Sequence, residues 1–280
     1  MNYPILITGA NGFIGKYLTA FLIKKGEFVI PISKHKGNIN GVKVIPVDLT
    51  NLDEVSRFFK GKEFSTIFHL AAKIPLTSPE ANNPDLAFEN KKMTKAIIQF
   101  RNLNSLLVFA SSSSIYHQIQ TCYSKGQLKE EEICNKLNDI QFPSICFRIS
   151  SPYGFGMHNT VLKIFVDKAL RNEPLTIYGD GLRCQDFVHV SDIAEGMLLA
   201  HRIRTQGTYN LCSGKEITML DLAQEVIISS GSKSKIEEKA IGQNRDRANY
   251  SIESTSNTFG YIPKITLSKG IRELCQDLKK

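Results

Sequence analysis

The sequence predicts an α/β protein, a doubly wound parallel sheet followed by a smaller domain. Three observations carry this prediction. A short apolar strand runs straight into a glycine-punctuated helix start, apolar runs alternate with helical-period segments through the first half, and the alternation loosens after residue 150. Strands that alternate with helices require crossover connections, and right-handed crossovers cover a parallel sheet on both faces.

Taken in order, residues 4–8 read as a buried strand that stops at Gly9. Phe13, Ile14, Tyr17, Leu18, Phe21 and Leu22 recur at helical spacing over 12–25, and Gly26 supplies a stop. Strands at 28–32 and 42–47, a helix at 52–59, a strand at 66–70 and a long helix at 84–101 continue the pattern. A strand at 106–110, a helix at 124–137 and a strand at 144–149 complete it. Beyond Ser150 the chain is rich in turn residues (Pro152, Gly154, Gly156, Gly179, Gly181), which suits a smaller domain laid over the carboxyl ends of the strands.

Composition narrows the class. At 280 residues, with 42% apolar and 22% charged residues, the chain has enough apolar surface for one or two globular domains and no disordered signature. The formal net charge of +8 comes from dispersed cations with acidic residues between them. That distribution fits mild attraction for phosphorylated small molecules, and no nucleic-acid partner is expected. The six cysteines lie apart without metal-ligand spacing, His69 and His189 lack ligand neighbours, and no apolar run is long enough for a membrane span. Reduced thiols, a cytoplasmic location, no metal and no membrane association are the expectations.

The strongest local signal is Thr8-Gly9-Ala10-Asn11-Gly12-Phe13-Ile14-Gly15, between the first strand and its helix. Gly9 permits a tight turn, Gly12 lets backbone approach a pyrophosphate, and Gly15 allows close helix–strand packing. The helix N-terminus adds free N–H groups and partial positive charge. Gly9, Asn11, Gly12, Phe13, Ile14 and Gly15 are therefore expected to hold a dinucleotide in a Rossmann-like unit. The second strand ends in Ser33-Lys34 rather than a carboxylate, so NADP is slightly favoured over NAD. The expected division is 1–150 for dinucleotide binding and 151–280 mainly for substrate binding, with 186–212 returning to the first domain.

Together with these glycines, several segments resemble the extended short-chain dehydrogenase/reductase superfamily, in its NAD-dependent epimerase/dehydratase branch. They are Asp48-Leu49, His69-Leu70-Ala71-Ala72, Asn90 with Thr94, and residues 148–154 (RISSPYG). In the second half they are 178–181 (YGDG), 186–192 (DFVHVSD), 207–211 (GTYNL), and Gly260-Tyr261-Ile262-Pro263 with Gly270-Ile271. The resemblance runs along nearly the whole chain. It implies a nucleotide-diphosphate sugar as substrate, oxidised or reduced by a nicotinamide cofactor in a 4-epimerase or 4-ketoreductase type of reaction. It also implies cofactor contacts at Asp48, Leu49, Leu70, Ala71, Ala72 and Asn90, substrate contacts at Ser151, Tyr178 and Arg183, and a homodimer built on the two long helices. Gln185 stands where the family commonly has a phosphate-binding Arg, so Arg183, Arg245 or Arg247 is expected to supply that charge.

The family's catalytic group is a Ser or Thr, a Tyr, and a Lys four residues after the Tyr, which lowers the phenol's pKa and bonds the ribose. Ser112 takes the Ser position and Ser124-Lys125 matches the Ser-Lys, which places Thr121 at the Tyr position. If the helix begins before Thr121, Thr121 and Lys125 share a face and Tyr123 turns away. Restoring a phenol as Thr121→Tyr is then expected to raise turnover. If the short connection after Tyr116 delays the helix, Tyr123 turns inward instead. Tyr116 is open as a packed aromatic, a substrate contact or a relocated acid. Two functions follow: a nucleotide-sugar oxidoreductase or epimerase, and a catalytically silent sensor or scaffold that kept the fold and lost the Tyr.

Overall fold

The computed structural model describes residues 3–138, 142–158, 160–240 and 250–279. In chain order the strands are Ile5–Thr8 (β1), Val29–Ser33 (β2), Gly37–Ile39 (β3), Val42–Pro46 (β4), Thr66–His69 (β5), Leu106–Ser112 (β6) and Ser144–Ile149 (β7). They continue as Ser151–Tyr153 (β8), Leu175–Tyr178 (β9), Cys184–His189 (β10), Gly207–Leu211 (β11), Glu216–Thr218 (β12) and Ile236–Lys239 (β13). The first five helices are Phe13–Lys24 (α1), Leu52–Phe59 (α2), Ser78–Ala81 (α3), Pro84–Phe100 (α4) and Cys122–Asn138 (α5). Val161–Leu170 (α6), Val190–Ile203 (α7), Met219–Ser230 (α8), Glu253–Phe259 (α9) and Leu267–Leu278 (α10) follow.

The central sheet has the order β11-β7-β6-β5-β1-β2-β4-β3. It is parallel apart from β3, which pairs antiparallel with β4 at the edge. The chain starts in the middle, moves outward through β2 and β4, then returns to β5 and moves the other way. The reversal beside β1 opens a crevice at the carboxyl ends of the strands, where an open α/β sheet takes its ligand. The β3–β4 hairpin was not expected from the pattern, although Asn40-Gly41, both at positive φ, is a two-residue hairpin signal.

Burial explains the layers. Ile5, Leu6 and Ile7 of β1 are all buried, with alternate residues feeding opposite cores. Ile5 and Ile7 join Leu18, Ile193 and Met197 from α1 and α7. Leu6 joins Val55, Phe58, Ile97 and Cys134 from α2, α4 and α5. A separate core lies under α6, α8 and α10, where Tyr153, Leu162, Phe165, Leu222 and Ile271 meet. The chain passes between the two cores more than once. After β8, the strand β10 pairs with β8 and β12, whereas β11 returns to the central sheet beside β7.

Candidate active site

The phosphate loop is built from backbone. Gly9 has φ +67°, and a Cβ there would stand 2.7 Å from the backbone nitrogen of Ala71. A Cβ on Gly15 would stand 2.2 Å from the Gly9 carbonyl oxygen, so only glycine lets α1 pack this close to the turn. Gly12 is exposed at the N-cap of α1; no side chain caps the helix and its first turn holds no acidic residue. The free N–H groups and a helix dipole unopposed by local carboxylates fit the diphosphate of a dinucleotide. Asn11 Nδ2 donates to the His35 carbonyl at 2.7 Å, tying the loop after β2 to the cradle. Phe13 packs towards the core under α6, α8 and α10, and Ile14 towards that of α1 and α7.

Around the crevice, Ser33 is half-buried and Lys34 is exposed, its Nζ 2.9 Å from an Asp48 carboxylate oxygen. Partial burial opposes ionisation of Asp48, but hydrogen bonds from Thr50 and Lys34 hold its carboxyl down at about 2. Leu49 is buried beneath Asp48 in the core. Leu70 and Ala71 are half-buried beside Gly9, and Ala72 is exposed. The buried Asn90 amide uses both ends on Lys73: its Oδ1 accepts from the Lys73 N–H at 2.8 Å and its Nδ2 donates to the Lys73 carbonyl at 2.9 Å. Asn90 thus holds the 70–73 segment in place.

The decisive geometry is at the β6–α5 corner. Ser112 ends β6 and accepts from the Ser114 N–H at 3.1 Å, capping a single 3₁₀ turn over Ser113–Tyr116. Five residues connect that turn to α5, and Gln120 Nε2 braces them by donating to the Ile115 carbonyl at 2.6 Å. Thr121 then caps the helix. Its Oγ1 accepts from the Ser124 N–H at 3.2 Å, and its own N–H donates to Ser124 Oγ at 2.9 Å, a reciprocal capping box. The helix begins at Cys122, not before Thr121. The expectation that Thr121 occupies the place of the catalytic phenol is corrected by this cap, because its hydroxyl is committed to the helix start.

Tyr123 turns inward, and its phenol stands near the Ser112 hydroxyl. Burial, and then the charge of Glu130, push this phenol up to about 12, with the Ser112 contact opposing them. Lys125 lies two residues on, about 200° around the helix from Tyr123. It is exposed, and its ammonium has no partner among the described residues. The residue four after Tyr123 is the buried Gln127. Its Nε2 donates to Glu130 at 3.2 Å, and its Oε1 is buried without a partner among the described residues.

Behind Tyr123 runs a buried chain of hydrogen bonds. Thr8 Oγ1 accepts from the N–H groups of Leu70 and Ala71, so its own hydrogen goes to His69 Nδ1 at 2.9 Å. His69 Nε2 then donates to Thr94 at 3.1 Å, and Thr94 donates to Glu130 at 2.5 Å. Burial holds His69 neutral, lowering it to about 4. Burial also raises Glu130 to about 7, against the Thr94 hydrogen bond and the charge of Lys91. The chain links the strand end that bears Gly9 to the helix that bears Tyr123.

Tyr116 is fixed elsewhere. Its hydroxyl donates to Asn210 at 2.7 Å and accepts from Arg148 Nη1 at 2.8 Å, with the guanidinium over its ring. Arg148 also forks onto Glu131, which accepts from Ser111. Tyr116 is thus held by packing and by two hydrogen bonds. On the substrate side, Gln185 donates to Ser151, Tyr178 is exposed, and Arg183 is half-buried with no charged partner among the described residues. Arg245 and Arg247 lie outside the described residues.

Ser112, Tyr123 and the phosphate-loop glycines are marked as site residues by the sequence, whereas Thr8, Gln127 and Glu130 enter the site only through the fold. The usable signal was Thr121-x2-Ser124, a cap that sets the helix register two residues later than the Ser-Lys match suggests.

Comparison with known proteins places the chain. The model of the NAD dependent epimerase/dehydratase family matches residues 5–212. A UDP-N-acetyl-alpha-D-glucosaminuronate decarboxylase of Bacillus cytotoxicus is 27% identical, covering 84% of this chain and 83% of that protein. Among solved structures, a Thermus thermophilus UDP-glucose 4-epimerase in complex with NAD superposes with a TM-score of 0.84 at 23% identity, covering 99% of both chains. The RMD protein of Pseudomonas aeruginosa, complexed with NADPH, gives 0.85 at 19% identity, covering 98% of both. At these identities the structural likenesses speak for the fold.

Proposed function

The chain belongs to the NAD dependent epimerase/dehydratase family, and on that premise we propose that it is a nicotinamide-dependent enzyme acting on a nucleotide-diphosphate sugar, by a 4-epimerase or 4-ketoreductase type of chemistry. The observation that carries this reading is the nearness of the Tyr123 phenol to Ser112, which ends β6 at the carboxyl edge of the sheet. A sensor has no use for a hydroxyl pair set beside the cofactor, whereas hydride chemistry at a carbinol or ketone needs a proton moved at the same oxygen. The bound cofactor supplies or removes the hydride. In this reading Ser112 orients the sugar oxygen, Tyr123 moves its proton, and Arg183 meets the diphosphate together with Arg245 or Arg247.

NADP is the favoured cofactor, because β2 ends in Ser33-Lys34 with no carboxylate to select a free ribose hydroxyl. Lys34 already neutralises Asp48, so the preference is modest. A homodimer would use α4 and α5, where Phe88 is exposed on α4; sedimentation at working concentration tests this. The function itself is tested by looking for co-purified nicotinamide, then screening UDP- and dTDP-linked sugars with oxidised and reduced cofactors. Turnover of one of them is the expected result. Tight cofactor binding with no turnover on the whole panel would favour a silent sensor.

A further inference from the structure

The register of α5 has a chemical consequence. With Tyr123 turned towards Ser112, the side chain one helical turn on, and on the same face, is Gln127. The cation of the family's Tyr-x3-Lys pattern is missing from this face, and a neutral amide occupies its place. We propose that Gln127 replaces that lysine, that Tyr123 works as a neutral proton donor, and that the site is built to reduce a keto nucleotide sugar. This rests on the function proposed above and narrows it to a substrate that arrives already oxidised.

The geometry carries the inference. Gln127 Nε2 is engaged by Glu130, and its remaining atom, Oε1, can only accept a hydrogen bond. A neutral amide in the lysine's place leaves the phenol protonated; an ammonium there favours the phenolate. Among the described residues, the surrounding elements supply no cation in the lysine's stead. On α5, Glu130 adds negative charge and Lys125 faces away. On α4, Lys91 acts on Glu130, and Thr94 is spent on it. His69 of β5 is neutral and bonded at both nitrogens. Ser112 of β6 is uncharged, and Arg148 of β7 is saturated by Glu131 and Tyr116.

Reduction suits such a site. The carbonyl carbon accepts a hydride from the reduced cofactor, and the C=O π pair becomes a third lone pair on the oxygen. That oxygen takes the proton of Tyr123 as its O–H bond breaks, and water refills the phenolate. The products are an alcohol and oxidised cofactor, with one proton taken from solvent. A donor that stays protonated keeps the reductive kcat/KM level from neutral to alkaline pH, and the reverse oxidation rises about tenfold per pH unit over the same range, because each turnover releases one proton.

The test reads the phenol directly, without substrate. The full chain carrying 13C at tyrosine Cζ is titrated by NMR with and without NADP, and the Tyr123 signal is assigned by its loss in Tyr123→Phe. Tyr123 is expected to stay protonated beyond about pH 10, the usual tyrosine value. Gln127→Lys should bring its titration down by at least about one pH unit. Glu130→Gln, which removes the neighbouring charge, should lower it too, and it keeps the test alive if the lysine variant fails to fold. Titration of wild-type Tyr123 near neutrality, or no shift in either variant, would overturn the inference. So would a reductive rate on a 4-keto nucleotide sugar that falls above neutral pH. Failure of the whole sugar panel with Tyr123 still protonated would instead strike the substrate reading on which this one rests.

Discussion

The β1–α1 turn and the β6–α5 corner face the same crevice but are made of different material. The first is backbone: Gly9 in its left-handed conformation, Gly12 open to solvent, and Gly15 with no room for a Cβ. The second is side chains, Ser112, Tyr123, Gln127 and Glu130, whose meeting depends on where one helix starts. A backbone site is written in glycine spacing and survives changes elsewhere. A side-chain site moves when a loop shortens, because a shift of two residues turns a helix face by about 200°. On the reading proposed here, the cofactor cradle keeps the glycine spacing of its family and the proton-transfer corner is rebuilt around a different residue.

Changes at the first region should act through shape and be severe. Gly15→Val puts carbon into the 2.2 Å gap to Gly9, and overpacking of this kind costs about 1–3 kcal/mol or more. We expect cofactor binding to be lost with a lower melting temperature; retained NADP affinity would mean that the cradle has more slack than its geometry allows.

Changes at the second region should act through charge and depend on pH. Glu130 titrates at about 7 in the fold, against 4.5 for an ordinary glutamate. The carboxyl is neutral in both states below 4.5, where its contribution to stability is complete. That contribution is lost as pH rises through 7, because only the unfolded chain has gained the stable charge. The loss amounts to about 3 kcal/mol at most. Glu130→Gln, whose amide can pair with a flipped Gln127, should raise the melting temperature at pH 8 and leave it nearly unchanged at pH 4. Equal effects at both would show that Glu130 is not strained by its burial.

A smaller effect is expected at the rim between the two regions. Lys34→Ala should weaken NADPH binding by about tenfold, or 1.4 kcal/mol, relative to NADH, read by cofactor fluorescence. The smallest belongs to the cap. Thr121→Ala should cost about 1 kcal/mol of stability, and Thr121→Tyr should also lose the cap. A rise in turnover in Thr121→Tyr would restore the older register, with Thr121 in the phenol's place.

Much of the fold was legible because its determinants are local. The strand at 144–149 and the helix at 52–59 coincide with β7 and α2, since each has a clear apolar period and turn residues at its ends. The β3 edge escaped because three residues with Gly37 and Asn38 carry no period, although Asn40-Gly41 marked the hairpin. At the site, the glycines and Ser112 were readable by position after a strand. The partnership of Tyr123 with Ser112 was not, because it depends on a five-residue connection and on a cap whose second half is a serine rather than the usual Glu or Gln. The Thr8–His69–Thr94–Glu130 chain joins strands and helices far apart in sequence and is visible only in three dimensions.

The proposed chemistry turns on which hydroxyl moves the proton. Once a nucleotide sugar is turned over, the direct measurement is the kcat of Tyr123→Phe beside that of Thr121→Val, with the cofactor affinity of each. Loss of a general acid costs about 10²–10⁴-fold in rate. Tyr123→Phe should fall by that much with its cofactor affinity intact, and Thr121→Val should keep most of its turnover despite a weaker helix start. Near wild-type turnover in Tyr123→Phe, with collapse in Thr121→Val, would contradict the inward tyrosine and everything derived from it.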